Sequence, residues 1–209
     1  MTELLPINLD IYDEEEDLLA GLRSHDKYAC ACMLKRYAGQ VYALGLRMMN
    51  DEDEAEEVMQ ETFISACKNI DSFQGRSKLS TWLYRIATNA ALMRLRRKKR
   101  TVPLDTVMGE NGSLPVPQTI VPWRSDLEEM AIRGDLRDAL ANSLKQLSEN
   151  LRAAFILRDI QGLSTAEAAA ALEISESAVK VRLHRARLQL REILSQNAQI
   201  TLEDYGITP

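Results

Sequence analysis

Apolar positions along this chain recur in alternating steps of three and four residues, so the elements they predict are helices. Asp13 with Glu16 has the spacing of a capping box for a short helix running to about Arg23, and Asp26 caps the next, running to about Met49. On that second helix Cys30, Leu34, Tyr37, Val41, Leu44 and Met48 share one face, the expected core face. Asn50 or Asp51 caps a third helix, whose acidic first turn suits the helix dipole. Its inward stripe is Ala55, Met59, Thr62 or Phe63, Ala66 and Ile70. The stretch "DSFQGRSKLS" at 71–80 is a loop pivoting on Gly75. Ser80 or Thr81 then caps a fourth helix that places Trp82, Ile86, Ala90 and Met93 on one face and ends in "RLRRKKR".

The periodicity then stops. "TVPLDTVMGENGSLPVPQTIVPW" at 101–123 holds four of the six prolines and keeps no apolar period, which predicts an extended linker. Ser125 with Glu128 has capping-box spacing for a helix to about Leu147. Ser148 caps the next, carrying Leu151, Ala154 and Phe155 and stopping at Gly162. Ser164 with Glu167 opens "TAEAAAAL", and a last helix runs from about Glu176 to Leu194. The divisions that follow are an acidic tail at 1–9, a helical domain at 10–100, a linker at 101–125, a second helical domain at 126–194, and an unassigned tail at 195–209. The fold class is all-α, two small helical domains joined by an extended linker.

Composition supports this division. The 209 residues are 45% hydrophobic but only 5% aromatic, and helix formers such as Ala, Leu, Glu and Arg dominate. The net charge of −5 conceals a segregation. Residues 1–20 and 51–61 are acidic with no basic residue, whereas Arg76, Lys78, Arg85, Arg94, Arg96, Arg97, Lys98, Lys99 and Arg100 follow with no acid among them. Blocks of this kind suit separate partners, and the dense basic run suits phosphates. An acidic N-terminus with no apolar core gives no secretory signal, and no apolar run approaches a membrane span, so a cytoplasmic protein without membrane insertion is expected. Cys30, Cys32 and Cys67 are then expected as reduced thiols, and the "HDKYACAC" spacing is not a zinc pattern.

Residues 164–191 form a helix, a three-residue turn and a helix, the helix-turn-helix pattern, with Ile174 plugging the angle and Ser175 capping the second helix. At about 100° per residue, Val179, Leu183, Ala186, Leu190 and Ile193 cluster on one side of that second helix. The opposite half carries Ser177, Lys180, Val181, His184, Arg185 and Leu188, with Arg182 and Arg187 on the flanks where phosphates lie. Arg and Lys read guanine in a major groove, and an apolar side chain meets a thymine methyl. A solvated surface helix has no need of Val181 and Leu188 on its polar side.

"LSENLRAAFILRDIQGLSTAEAAAALEISESAVKVRLHRARLQLRE" closely resembles the C-terminal domain of extracytoplasmic-function (ECF, group IV) sigma factors of the sigma-70 family. "DEAEEVMQETFISACKNIDSFQGRSKLSTWLYRIATNAALMRLRRKKR" resembles their N-terminal domain, in the same order, and the resemblance covers roughly 10–194. It implies a region 2 domain that binds core RNA polymerase and the −10 element, and a region 4 helix-turn-helix domain for the −35 element. It implies that Glu54, Glu57, Gln60, Glu61 and Phe63 dock on the clamp helices of the largest polymerase subunit, and that the C-terminal domain meets the flap region. Phe73, Gln74, Lys78, Trp82, Arg85 and Asn89 match the part that melts the −10 element and captures an unstacked base. Trp82 also lies on the apolar stripe, so core packing stays open for it. Arg94, Arg96, Arg97 and Lys98 would hold phosphates, and Ser177, Lys180, Val181, Arg182, His184, Arg185 and Arg187 the −35 DNA.

Two positions depart from the family pattern: Met93 stands where an acid is usual, and Glu173 where glycine commonly opens the turn. The resemblance also implies an anti-sigma partner. No nucleophile, metal cluster or phosphate-binding glycine loop stands out, so neither catalysis nor a cofactor is expected. Two rival functions remain on the residues alone. A stand-alone DNA-binding regulator leaves the "QETF" helix and the basic block without a role. A sigma-like scaffold working only through protein contacts leaves Lys180, Arg182, Arg185 and Arg187 without one.

Overall fold

A computed structural model describes residues 11–100 and 134–204, with 99–100, 134–139 and 195–204 as helical backbone alone. The expected linker at 101–125, the Ser125 cap and the tail at 1–9 lie outside the described residues. Eight α-helices follow in order: α1 Glu15–Arg23, α2 Ala29–Met49, α3 Glu52–Lys68, α4 Leu79–Arg100, α5 Gly134–Gln146, α6 Glu149–Phe155, α7 Thr165–Leu172 and α8 Glu176–Asp204. A 3₁₀ turn, Ile70–Ser72, precedes α4, and a π-helical turn, Ile156–Ile160, continues α6.

The N-terminal helices pack around α4, whose Leu79, Leu83, Ala87 and Ala91 are fully buried. This corrects the expected face by one residue: Trp82, Ile86 and Ala90 are half-buried flanks, and Met93 is 52% exposed. The helix is apolar on more than one side, so periodicity alone does not choose its phase. The same slip occurs at the start of α2. There Ala29, Cys32 and Met33 are buried, Cys30 is half-buried and Leu34 is exposed, while Tyr37, Val41, Leu44 and Met48 are buried as expected. In α3 Val58 joins Ala55, Thr62, Phe63 and Ala66 in the core. Helices α2 and α3 approach closely at Gly45, where an added Cβ would stand 3.2 Å from the Ala55 carbonyl oxygen.

Cys30 and Cys67 form a disulfide between α2 and α3, with Cα atoms 6.0 Å apart, which corrects the expectation of three reduced thiols. Cys32 is a buried free thiol. Pairing of this kind depends on two helices meeting, which spacing within one helix does not reveal.

Local caps follow the sequence at α3 and α7, whereas Asp26, expected to cap α2, accepts from the Tyr28 amide one residue ahead of the helix and Tyr28 at the N-cap makes no side-chain cap bond. The Asp51 side chain accepts from the Glu54 amide, and Ser164 and Glu167 form the expected capping box. Distant caps do not. Helix α4 begins at Leu79, ahead of Ser80 and Thr81, because Glu15 Oε1 of α1 accepts from the Leu79 amide at 3.0 Å. The other Glu15 oxygen accepts from the Tyr37 hydroxyl at 2.8 Å. Burial, together with that bond, pushes the Tyr37 hydroxyl pKa up to about 12. One carboxylate therefore joins α1, α2 and α4, and α1 itself starts after Glu14 with no side-chain cap from Asp13. Similarly, Ser148 stands at the N-cap of α6 without making a side-chain cap bond.

In the C-terminal half, α7 and the first turns of α8 form the helix-turn-helix, and α8 continues ten residues past the expected end at Leu194, to Asp204. Leu183, Ala186 and Leu190 of α8 pack with Leu144, Leu147 and Phe155 of the preceding segments. Glu15→Ala should lower stability by about 1–2 kcal/mol, as loss of a helix cap does. Urea unfolding of the full chain measures it, and an unchanged midpoint would remove Glu15 from that role.

Candidate polymerase and nucleic-acid interfaces

Three surfaces carry the candidate residues. On α3, Glu56, Glu57, Gln60 and Glu61 are exposed and Glu54 is half-buried. Phe63, expected at the docking face, is a core residue, only 6% exposed. The apolar side chain on the outside is Ile64, 55% exposed and one turn from Gln60. Sequence periodicity missed it because an apolar residue beside Phe63 passes for core.

Arg94 of α4 sits against this helix. Its guanidinium donates to Glu54 at 2.8 Å and Glu61 at 2.7 Å and lies 3.2 Å from Glu57. These bonds, Glu54 first, hold its pKa above the usual arginine value. Arg94 was expected on phosphates; it instead clamps α4 to α3, because its side chain points to the acidic helix rather than along the basic end. Lys98 stands 3.6 Å from Glu54, while Arg96 and Arg97 are exposed.

The second surface is the loop and first turns of α4. Phe73, expected to hold an unstacked base, is 4% exposed and packs on Trp82 with ring centroids 5.2 Å apart. Trp82 is half-buried against the core, so it contributes packing and retains an accessible edge. Gln74, Lys78 and Arg85 are exposed and Asn89 is half-buried. Beside them opens a cleft of about 640 Å³ whose lining includes Glu14, Glu16, Phe73, Arg76, Ser77 and Lys78. One wall is acidic and the other basic.

The third surface is α8. Ser175 caps it by accepting from the Ala178 amide at 3.2 Å, and Ser177 lies 2.9 Å from Ser175, oxygen to oxygen. Ser177, Lys180 and Leu188 are exposed, and Val181, Arg182, His184 and Arg185 are half-buried. Arg187, expected on a phosphate, makes a two-pronged ion pair with Asp159 at 2.7 and 2.9 Å. It faces the π-helical turn and anchors α8 to it.

Arg152, singled out by no sequence motif, is 8% exposed and donates to the carbonyls of Met48, Lys145 and Leu147. Burial lowers its pKa. The guanidinium spans three carbonyls at the ends of α2 and α5, a use of arginine that only the assembled fold reveals.

Two profiles of the family match the chain: Sigma-70 region 2 over residues 33–101 and Sigma-70, region 4 over residues 137–190. The chain is 35% identical over 173 residues to the ECF RNA polymerase sigma factor SigW of Bacillus subtilis, covering 83% of this chain and 92% of that protein. The chain belongs to the ECF branch of the sigma-70 family. It is also 30% identical over 175 residues to the RNA polymerase sigma-H factor of Pseudomonas aeruginosa, covering 84% of this chain and 91% of that one. Among solved structures it resembles CnrH in complex with the cytosolic domain of CnrY, with TM-score 0.60 and 26% identity over 87% of this chain and 97% of the other. It also resembles the sigma factor RpoE in complex with the anti-sigma factor NepR from Bartonella quintana, with TM-score 0.57 and 26% identity over 78% and 94% of the two chains.

The chain is therefore a sigma factor, whose function is promoter-specific initiation of transcription by RNA polymerase. Among the described residues, no helix of this sigma factor is long and apolar enough to cross a membrane. If Arg187 anchors α8 rather than contacting DNA, Arg187→Ala should cost on the order of 2–3 kcal/mol of stability, because Asp159 is left paired with nothing in a largely dehydrated site. Thermal unfolding reads the loss; unchanged stability with weakened DNA binding would return Arg187 to the DNA face.

Proposed function

We propose that the ECF sigma factor divides its work among the three surfaces as follows. Glu57, Gln60, Glu61 and Ile64 of α3 meet the clamp helices of the largest polymerase subunit, with Glu54 held in register by Arg94. Gln74, Lys78, Trp82, Arg85 and Asn89 receive the melted −10 strand. A base drawn into the adjoining cleft would find carboxylate acceptors on one wall, while the basic wall takes its phosphate. Arg96, Arg97 and Lys98 hold the duplex backbone. Ser177, Lys180, Val181, Arg182, His184 and Arg185 enter the major groove of the −35 element. The region 2 domain spans 10–100, the region 4 domain 126–194, and residues 101–125 link them across the polymerase, with region 4 on the flap.

The observation that carries this reading is α8. Leu183, Ala186 and Leu190 of its apolar stripe are consumed by its own domain, yet it leaves Ser177, Lys180 and Leu188 exposed on one opposite face. Such a mixture of donors and an apolar tip suits a groove lined with base edges and methyl groups better than it suits water. The factor works as an initiation factor in the cytoplasm, not as a catalyst. An anti-sigma factor is the expected regulator, supported by the resemblance to RpoE bound to NepR.

The test is reconstituted transcription with purified core polymerase on a promoter library. Promoter-specific transcripts that require the chain are expected; their absence, with DNA bound equally well without core, would favour a stand-alone regulator. Lys180→Ala should cost on the order of 1–3 kcal/mol in −35 discrimination. Arg97→Ala should weaken all promoters alike and reduce the salt slope by about one ion. Unchanged selectivity in the first variant would remove α8 from the groove.

A further inference from the structure

Cys30 and Cys67 join the first turn of α2 to the last turn of α3, and both are only half-buried, within reach of solvent. Cys32, 4% exposed, faces the core and has no part in the bond. Two contacts fix how the helices run: Cys30 meets Cys67 at one end, and Gly45 approaches Ala55 at the other. In that antiparallel register Leu34, a turn after Cys30, comes level with Ile64, a turn before Cys67. Both are large apolar side chains left in solvent, 41% and 55% exposed. Along α3, Gln60, Ile64 and Cys67 recur in steps of four and three, on one face. The disulfide therefore stands at the edge of the face proposed to meet polymerase.

A disulfide in the reducing cytoplasm is seldom a permanent strut; it opens and closes by exchange with other thiols. The two cysteines differ in chemistry once reduced. Cys30 stands in the first turn of α2, where backbone amides and the positive end of the helix dipole favour a thiolate. Cys67 stands in the last turn of α3, where carbonyls disfavour one. We propose that Cys30 and Cys67 are a reversible dithiol–disulfide site for low-molecular-weight disulfides of the glutathione class, whose oxidation staples the polymerase-docking face and tightens its hold on core. The Cys30 thiolate attacks one sulfur of the small disulfide, whose S–S bond breaks, and one thiolate leaves. Cys67, deprotonated, then attacks the Cys30 sulfur of the mixed disulfide and expels the second thiolate. The cysteines are oxidised by two electrons, the small disulfide is reduced to two thiols, and the two cysteine protons pass to the leaving thiolates.

The staple matters because α2 begins weakly. Tyr28 at its N-cap makes no side-chain cap bond, and its first turn carries no acid. Without the disulfide that turn frays more readily, and Leu34 loses its fixed place beside Ile64. Ala29, Cys32 and Met33 stay buried in the core, so opening the bond loosens the turn without unfolding the domain. The dithiol then holds the docking arrangement for roughly a fifth to a half of the time, and apparent affinity for core falls by about two- to five-fold. The exchange chemistry stands on the placement of the two cysteines; its cytoplasmic setting and its effect on docking rest on the function proposed above.

The experiment equilibrates the full-length chain in buffers running from reduced glutathione to glutathione disulfide. Free thiols are alkylated after unfolding and counted by mass spectrometry, and affinity for core polymerase is measured in each buffer. The count should fall reversibly from three to one across the series, with Cys32 as the thiol that remains. Core affinity should rise about two- to five-fold on oxidation. Cys67→Ser should stop at the mixed disulfide, adding the mass of one glutathione to Cys30, and should do so faster than Cys30→Ser does at Cys67. Cys30→Ser combined with Cys67→Ser should bind core equally in both buffers, which separates the effect from thiols of the polymerase. A pair that stays oxidised in reduced glutathione, or stays reduced in glutathione disulfide, would overturn the site. Equal core affinity of the two states, or an equal gain in the double variant, would overturn the staple, and a faster reaction at Cys67 the order of attack. Absence of promoter-specific transcription with core would instead reject the proposed function, leaving the thiol count to decide the exchange.

Discussion

Helix α4 is buried from more than one direction, and the packing of the N-terminal helices rests on it. Leu79, Leu83, Ala87 and Ala91 are wholly withdrawn from water, and Tyr84, Thr88 and Leu92 nearly so. Full burial of a large aliphatic side chain stabilises by roughly 1.5–3 kcal/mol, so this single helix anchors much of the apolar stabilisation of the N-terminal half. Its start is fixed by the Glu15 carboxylate and its last third by Arg94 clasping α3. The remaining surface is shared between an exposed basic end and the footing of α7. A helix so constrained presents a fixed row of side chains, which is what positioning an unstacked nucleic-acid strand requires.

The acidic total charge ceases to be a puzzle once the charges are placed. Carboxylates of α3 that are not drawn to Arg94 or Lys98 face outward, and the cationic residues Arg96 and Arg97 face outward from the far end of α4. Arg94 sits where the two fields meet and neutralises the inner edge of both. A surface of one sign can thus approach polymerase and another the phosphate backbone, without either partner meeting the opposite field first.

Much of the fold was legible because its signals are local. The Asp51 cap, the Ser164–Glu167 box and the Ser175 cap each act across three residues, and the helix periods span one element at a time. What escaped was set by contacts far apart along the chain. Glu15 caps a helix 64 residues away, Arg94 reaches 40 residues back to Glu54, and Cys30 meets Cys67 across 37 residues. Three candidate site residues are placed otherwise than expected for the same kind of reason. Phe63 and Phe73 carry the right chemistry for an interface but are core, and Arg187 is turned to Asp159 because the π-helical turn puts that carboxylate in reach. The phases of α2 and α4 slipped by one residue because both helices have apolar residues on adjoining faces, and only packing selects between them.

The proposed function requires core polymerase to hold two separated DNA contacts of the sigma factor in register. Footprinting of promoter DNA with the chain alone, core alone and both together reads this out. Protection is expected at two patches, one over the −10 element and one over the −35 element, appearing together and only when chain and core are both present. Strong protection of the −35 patch by the chain alone at the same concentration would contradict it.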